Sequence, residues 1–305
     1  MYRVRRGRAR RRRARRRRVL LGAVLAVSLT AAALAADRHP RNHALGTPGS
    51  PVGWPQQGQA ALAVGNDQPA ASPRERPAPI ASLAKVMTAY LTLERYPLSG
   101  TQDGFTSTVT EDEAQANWQG QSAVAVRAGE ELTERQLLEA LLIPSGNNIA
   151  QMLAVQVAGS ETRFVAEMNS EARTLGMDHT TYTDPSGFDP GTVSTAADQL
   201  RVFEQAMRFT VFRQIVSMTS VTLPVAGTLT NYNPLTAEGY AGKTGSDSAA
   251  GGCLAFFTPV TVDGRRVTAA GVVMGQGQGS DTPVILAAAG EAATRLVQSV
   301  ASAQP

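Results

Sequence analysis

The chain has 305 residues, 43% of them hydrophobic, which suits one large domain or two small ones with an ample core. Aromatic residues make up only 5% and there is a single cysteine, which excludes an aromatic-lined nucleic-acid platform, an intrachain disulfide and a cysteine-based zinc site. The net charge of +4 comes from residues 1–18, with 12 arginines and no acid; the remainder holds 17 basic against 25 acidic side chains and does not read as a nucleic-acid binder.

The arginine run (1–18) stays on the cytoplasmic side of a membrane. An apolar stretch of 18 residues follows, Val19 to Ala36, with a small-x-small site at Ala33–Ala35. It reads as an export signal and is also just long enough to remain as a membrane anchor. Either way the body is expected outside the cytoplasm. Residues 37–56 are rich in Pro, Gly, His and Asn and read as a linker. A folded domain is expected over 57–303. Gln59–Val64 predicts a strand, Gly65–Asp67 a turn, and Ser82–Glu94 a buried helix ahead of Pro97. Gln121–Val126 predicts a small strand. Thr133 and Gln136 form a capping-box pattern before a helix that Pro144 ends. Further helices are expected at Asn147–Val157, Glu161–Leu175 and Thr195–Arg208. Strands follow at Ser220–Val225, Cys253–Phe257 and Val267–Met274, then a helix at Pro283–Val300. This order fits an α/β domain whose sheet draws on both chain ends around a helical middle.

The 29 basic residues include only two lysines, Lys85 and Lys243. Such avoidance implies that both positions need an ammonium able to lose or share its proton, which arginine cannot do. Lys85 closes a Ser82-x-x-Lys85 motif. Three residues apart on a helix, hydroxyl and amine lie on one face. A serine is a weak nucleophile until a base takes its proton, and a lysine becomes that base when burial or a second cation lowers its pKa. Lys243 is the only other lysine that could supply that cation. Ser145-Gly146-Asn147 follows Pro144 at a bend between two helices, where a hydroxyl and a carboxamide can relay a proton and bind an amide. Lys243-Thr244-Gly245 suits a substrate carboxylate, with Gly245 allowing close approach of a substrate backbone. Each motif alone is weak; the ordered set is specific.

With these motifs the chain resembles the penicillin-binding D-alanyl-D-alanine carboxypeptidases, the low-molecular-mass serine DD-peptidases. Residues 79–94 (PIASLAKVMTAYLTLE) and 129–154 (GEELTERQLLEALLIPSGNNIAQMLA) carry much of the likeness. The run 159–177, DPSGFD (184–189), STAADQL (194–200), Asn231-Tyr232-Asn233 and GKTGSDSAAGGCL (242–254) extend it. The resemblance implies a β-lactamase/transpeptidase-like fold, an antiparallel sheet from both chain ends plus a helical subdomain. It implies a metal-free enzyme without cofactor that removes the terminal D-alanine from peptidoglycan stem peptides and is acylated by β-lactams. Ser82 would attack the carbonyl, Lys85 take its proton, and Ser145 relay a proton to the leaving amine. Asn147 would bind the peptide amide, and Lys243 and Thr244 the terminal carboxylate. The backbone N–H groups of Ser82 and Ser246 would form the oxyanion hole.

Three departures stand out. Ala84 replaces a common Thr, Gly242 replaces an aliphatic residue, and Ser246-Asp247 replaces a Tyr or His followed by Thr. An Asp247 facing the pocket would repel the substrate carboxylate. A β-lactamase of the same fold would need a deacylating glutamate, commonly in an E-x-x-L-N loop, and none occurs between Asn147 and Lys243. A DD-endopeptidase or transpeptidase would share every motif, and a non-catalytic wall-binding protein could keep them. His39, His43 and His179 form no Ser-His-Asp order or metal spacing. Cys253 reads as a core thiol, Gly275–Ser280 as a turn and Trp118 as a packing residue.

Overall fold

The computed structural model describes residues 52–301. The arginine run, the apolar stretch and most of the 37–56 segment lie outside the described residues. In chain order the strands are β1 (Gln59–Val64), β2 (Ala70–Ala71), β3 (Ala78–Pro79), β4 (Thr106–Thr108), β5 (Glu131–Thr133), β6 (Val193–Ser194), β7 (Ser220–Leu223), β8 (Gly227–Thr230), β9 (Ala241–Asp247), β10 (Gly251–Val262) and β11 (Arg265–Gln276). The α-helices are α1 (Lys85–Arg95), α2 (Glu111–Gln115), α3 (Glu134–Leu142), α4 (Asn147–Ala158), α5 (Glu161–Thr174), α6 (Ala196–Ala206), α7 (Thr210–Val216) and α8 (Thr282–Ala301).

The main sheet has the order β2-β1-β11-β10-β9 and is antiparallel throughout. It therefore does draw on both chain ends. β1 is buried along its whole length because both faces are covered. Ala60, Leu62 and Val64 join Leu254, Phe256, Val273 and the α8 residues Ala289, Ala293 and Leu296 on one face. Ala61 and Ala63 face the helices, together with Cys253, Ala255 and Val272. This is the two-sided burial expected of a strand with a continuous apolar run. At Gly252 an added Cβ would lie 1.8 Å from the Ile285 carbonyl oxygen, so the glycine lets α8 lie directly on β10. Asp263 and Gly264, both at positive φ, close the β10–β11 hairpin. Val52 and Trp54, which the sequence places in the linker, pack against the α8 face.

The predicted capping box forms as expected: Gln136 N–H donates to Thr133 Oγ1 at 3.3 Å, and Thr133 N–H to Gln136 Oε1 at 2.9 Å. Two expectations need correction. Gln121–Val126 is not a strand, because its polar groups bond to the start of α4 instead. Asn147 N–H donates to the Ser122 carbonyl at 2.7 Å, and the Asn148 carboxamide bonds both to the Val124 N–H and to its carbonyl. Ser82 lies not in the α-helix but in a 3-10 turn, Ala81–Ala84, that runs into it. The strand expected at Ser220–Val225 is present as β7 and pairs with β8 in a two-stranded sheet of its own. The strand β9 carries no strand pattern in the sequence, since its glycines, Thr and Ser show no apolar alternation.

Candidate active site

The site lies where the 3-10 turn Ala81–Ala84, the Pro144–Asn147 bend and β9 meet. In a 3-10 turn, residues three apart eclipse one another. Lys85 Nζ accordingly lies 2.6 Å from Ser82 Oγ. Ala81, just before Ser82, has φ +46, and Ser145 has φ +63. Among the described residues only three non-glycines have positive φ, and these two flank the site. Such backbone costs about 1–3 kcal/mol per residue and persists only where the surroundings enforce it.

Ser82 is partly exposed, whereas Lys85 is completely buried. Two further acceptors surround Lys85 Nζ: Asn147 Oδ1 at 2.7 Å and the Ser186 carbonyl at 3.1 Å. Asn147 is itself held, donating from Nδ2 to Gln121 Oε1 at 2.9 Å. Lys243 Nζ donates to Ser145 Oγ at 3.0 Å and to the Thr244 carbonyl at 2.8 Å. Lys243, Thr244, Ser145 and Asn147 are all buried. Among the described residues, neither lysine makes an ion pair.

Burial without a counter-ion disfavours the charged form. It brings Lys243 down to about 7. Lys85 lies well below the usual lysine range, first through burial and then through the charge of Lys243, with the Asp184 carboxylate pulling the other way. The two lysines of the chain are thus both buried beside the Ser82 and Ser145 hydroxyls, with lowered pKa values.

Gly245 has a different reason from the one the sequence suggested. An added Cβ would lie 2.7 Å from the Ile80 carbonyl oxygen and 3.2 Å from Ser82 N. The glycine lets β9 press against the Ala81–Ala84 turn of the protein itself. Gly242 is explained the same way, since a Cβ there would meet the Ala255 carbonyl oxygen at 2.2 Å. Ser246 pairs with Gly252 across β9 and β10 and is partly exposed. Asp247 is tied into the following turn, its Oδ1 accepting from Ala249 N–H at 2.8 Å and Ala250 N–H at 2.6 Å.

The structure brings all the sequence-predicted residues, Ser82, Lys85, Ser145, Asn147, Lys243, Thr244, Gly245 and Ser246, to this junction. It adds a loop to which the sequence reading gave no role. Asp184 Oδ2 accepts from Ser186 N–H, Ser186 Oγ and Phe188 N–H at 3.1, 2.5 and 3.0 Å, and Oδ1 from Thr192 Oγ1 at 2.8 Å. Thr88 Oγ1 of α1 donates to the Pro185 carbonyl at 2.6 Å. Gly187, at φ +78, lies so close to the Ala81–Ala84 turn that a Cβ would meet the Ala81 carbonyl oxygen at 1.8 Å. The loop therefore presents the Ser186 carbonyl to Lys85. The Asp-x-Ser-Gly pattern was the available signal, since an Asp that caps the N–H groups following it makes such a turn.

The family model described as D-alanyl-D-alanine carboxypeptidase, of the S11 peptidases, matches residues 70–278. A D-alanyl-D-alanine carboxypeptidase of Mycobacterium tuberculosis, DacB2, is 39% identical over 149 residues, 48% of each chain. A D-alanyl-D-alanine endopeptidase of Escherichia coli is 30% identical over 198 residues, 60% of each. The matched segments span about a third to three fifths of the length of these and the other curated relatives first in similarity. The Streptomyces K15 DD-transpeptidase shares the fold at TM-score 0.67 and 23% identity, over 81% of this chain and 97% of that one. A penicillin-binding protein homologue from Mycobacterium tuberculosis superposes at TM-score 0.68 and 29% identity, over 85% and 96%.

Proposed function

The chain belongs to the D-alanyl-D-alanine carboxypeptidase family of S11 peptidases, and from that premise we propose that it is a serine DD-carboxypeptidase acting on peptidoglycan stem peptides. The observation that carries this reading is the buried amine of Lys85, 2.6 Å from the Ser82 hydroxyl and without a carboxylate partner among the described residues.

Ser82 Oγ attacks the carbonyl between the two terminal D-alanines while Lys85 Nζ takes the hydroxyl proton. The backbone N–H groups of Ser82 and Ser246 receive the developing oxyanion. The C–N bond breaks as the proton taken up by Lys85 reaches the leaving amine through Ser145, which bonds to Lys243. Free D-alanine departs and an ester remains on Ser82. Water then attacks that ester and gives a proton to Lys85; the C–Oγ bond breaks, Lys85 returns the proton to Ser82 Oγ, and the shortened stem leaves. Asn147 fixes Lys85 and lies where a peptide amide is bound. Lys243 and Thr244 hold the terminal carboxylate, and the negative charge of that group raises the Lys243 proton affinity from its low resting value. A β-lactam follows the same first step, its ring amide opening onto Ser82 with the amine still tethered.

The site of action is outside the cytoplasm. The apolar stretch Val19–Ala36 delivers the domain there, as a cleaved signal or a retained anchor. The experiment is D-alanine release from a peptide ending in D-Ala-D-Ala, comparing the full chain with Ser82→Ala. Release by the wild type alone supports the reading, and no release from folded wild type overturns it. The E. coli relative named an endopeptidase supports a second substrate for the same assay, a cross-linked dimer whose leaving amine is a side chain.

A further inference from the structure

At the end of the main sheet, where β9 runs into the 247–250 turn, lies a cavity of about 430 Å³. Its lining includes Gln56, Gln59, Arg74, Arg76, Ala250 and Gln278 and contains no acidic residue. Among the described residues, neither arginine makes an ion pair. Glu75, between them, is turned away: its Oε1 accepts from Ala197 N–H at the start of α6 at 2.8 Å. Two arginines without an ion-pair partner among the described residues thus line one cavity, on a body that is otherwise net acidic.

The walls are fixed although the guanidinium heads are free. Buried Gln59 donates from Nε2 to the Arg76 carbonyl at 2.7 Å and accepts from Ala196 N–H at 3.1 Å. Gln278 Nε2 donates to the Ala249 carbonyl at 3.1 Å. The backbone carrying Arg76 and the turn opposite it are therefore held in place. The cavity is also close to the chemistry. Gly245 lies against Ser82, and from Gly245 the strand reaches Asp247 in two residues, about 7 Å. A peptide extended along the free edge of β9, with its scissile bond at Ser82, meets this turn two to three residues from that bond.

We propose that the Arg74–Arg76 cavity is an anion subsite that takes a free carboxylate on the acyl side of the stem peptide, two to three residues upstream of the bond cleaved at Ser82. The subsite rests on the proposed carboxypeptidase reading and adds a specificity determinant to it. A guanidinium fork matches a carboxylate with two parallel hydrogen bonds, and the glutamine amides suit the adjoining peptide groups. Both arginines are exposed, so water screens the pair and the effect is moderate, about 5- to 20-fold in specificity.

The test uses two stem peptides that differ only in whether that upstream carboxylate is free or amidated, with wild type and R74Q/R76Q full-length protein. Wild type is expected to favour the free acid about 5- to 20-fold in kcat/KM, mainly through KM. The double variant should lose that preference yet be acylated by benzylpenicillin at the wild-type rate. An acid-to-amide ratio that is the same in both proteins overturns the subsite. So does slower acylation of the variant, which would make the arginines supports of the nucleophile turn. If the variant instead loses only retention on a phosphate-rich wall polymer, the cavity takes phosphate and the carboxylate assignment fails. If wild type is neither acylated nor releases D-alanine, the carboxypeptidase reading is what fails, and the subsite falls with it.

Discussion

Asp184→Asn should lower the pKa of Lys85 further while leaving the site assembled. In the wild type Asp184 is the carboxylate whose charge opposes the burial of Lys85 and the charge of Lys243. It acts across Ser186, whose carbonyl accepts from Lys85 at 3.1 Å and whose N–H and Oγ bond to Asp184. Asparagine keeps an oxygen for the N–H groups of Ser186 and Phe188, so the loop keeps its anchor and loses its charge. A nearby carboxylate favours the ammonium form of a lysine, so removing its charge lowers the Lys85 pKa further. With only two lysines in the chain, lysine labelled at Cε and Nζ gives a spectrum of two signals. A pH titration should show one midpoint falling and the other moving far less. The acid limb of β-lactam acylation should fall with it, and the plateau rate should drop because the amine is a weaker base. Asp184→Ala should also loosen the loop and lose acylation at every pH. A Lys85 midpoint that stays or rises in Asp184→Asn would refute this account of how the base is tuned.

Glu134 gives a stability prediction of defined sign. It is buried at the first turn of α3, with Oε1 unpartnered, and burial raises its pKa to about 7. The folded protein then binds more protons than the unfolded chain between pH 4.5 and 7, so this group costs stability as pH rises through that window, with the full cost above it. Glu134→Gln should stabilise at pH 8 by about 1–3 kcal/mol and change little at pH 4, measured by urea unfolding at both pH values. Gly187→Ala should reduce β-lactam acylation at least tenfold, because its Cβ has no room beside the Ala81 carbonyl and the loop must retreat from Lys85; unchanged acylation would show that the loop is not held there. Cys253 is fully buried, and that burial pushes its thiol up to about 12. Iodoacetamide at pH 8 should therefore label it only in denaturant, and rapid labelling of native protein would place the thiol elsewhere.

The sequence makes the chemistry legible because that chemistry is written in scarce residues. Two lysines among 29 basic side chains mark Lys85 and Lys243 before any fold is considered, and the i to i+3 spacing of Ser82 and Lys85 survives the change from α-helix to 3-10 turn. The two-sided burial of β1 follows from its apolar run. What stays hidden is set by tertiary contact. β9 shows no strand pattern because Gly242 and Gly245 are demanded by the close approach of β10 and the nucleophile turn. Gln121–Val126 has the look of a strand, yet its backbone groups pair with Asn147 and Asn148 from another element. Asp184 acts through a carbonyl two residues on, and no local spacing announces that Lys85 will be on the other side of it.

The central claim is that the buried amine of Lys85 activates Ser82 as the nucleophile. It is tested most directly by the intact mass of the full chain after brief exposure to benzylpenicillin, followed by mapping of the modified peptide. The account predicts one adduct of the whole β-lactam, on Ser82, absent from Ser82→Ala and strongly slowed in Lys85→Arg, where the base is permanently charged. An adduct on another residue, or equal acylation of wild type and Lys85→Arg, would contradict it.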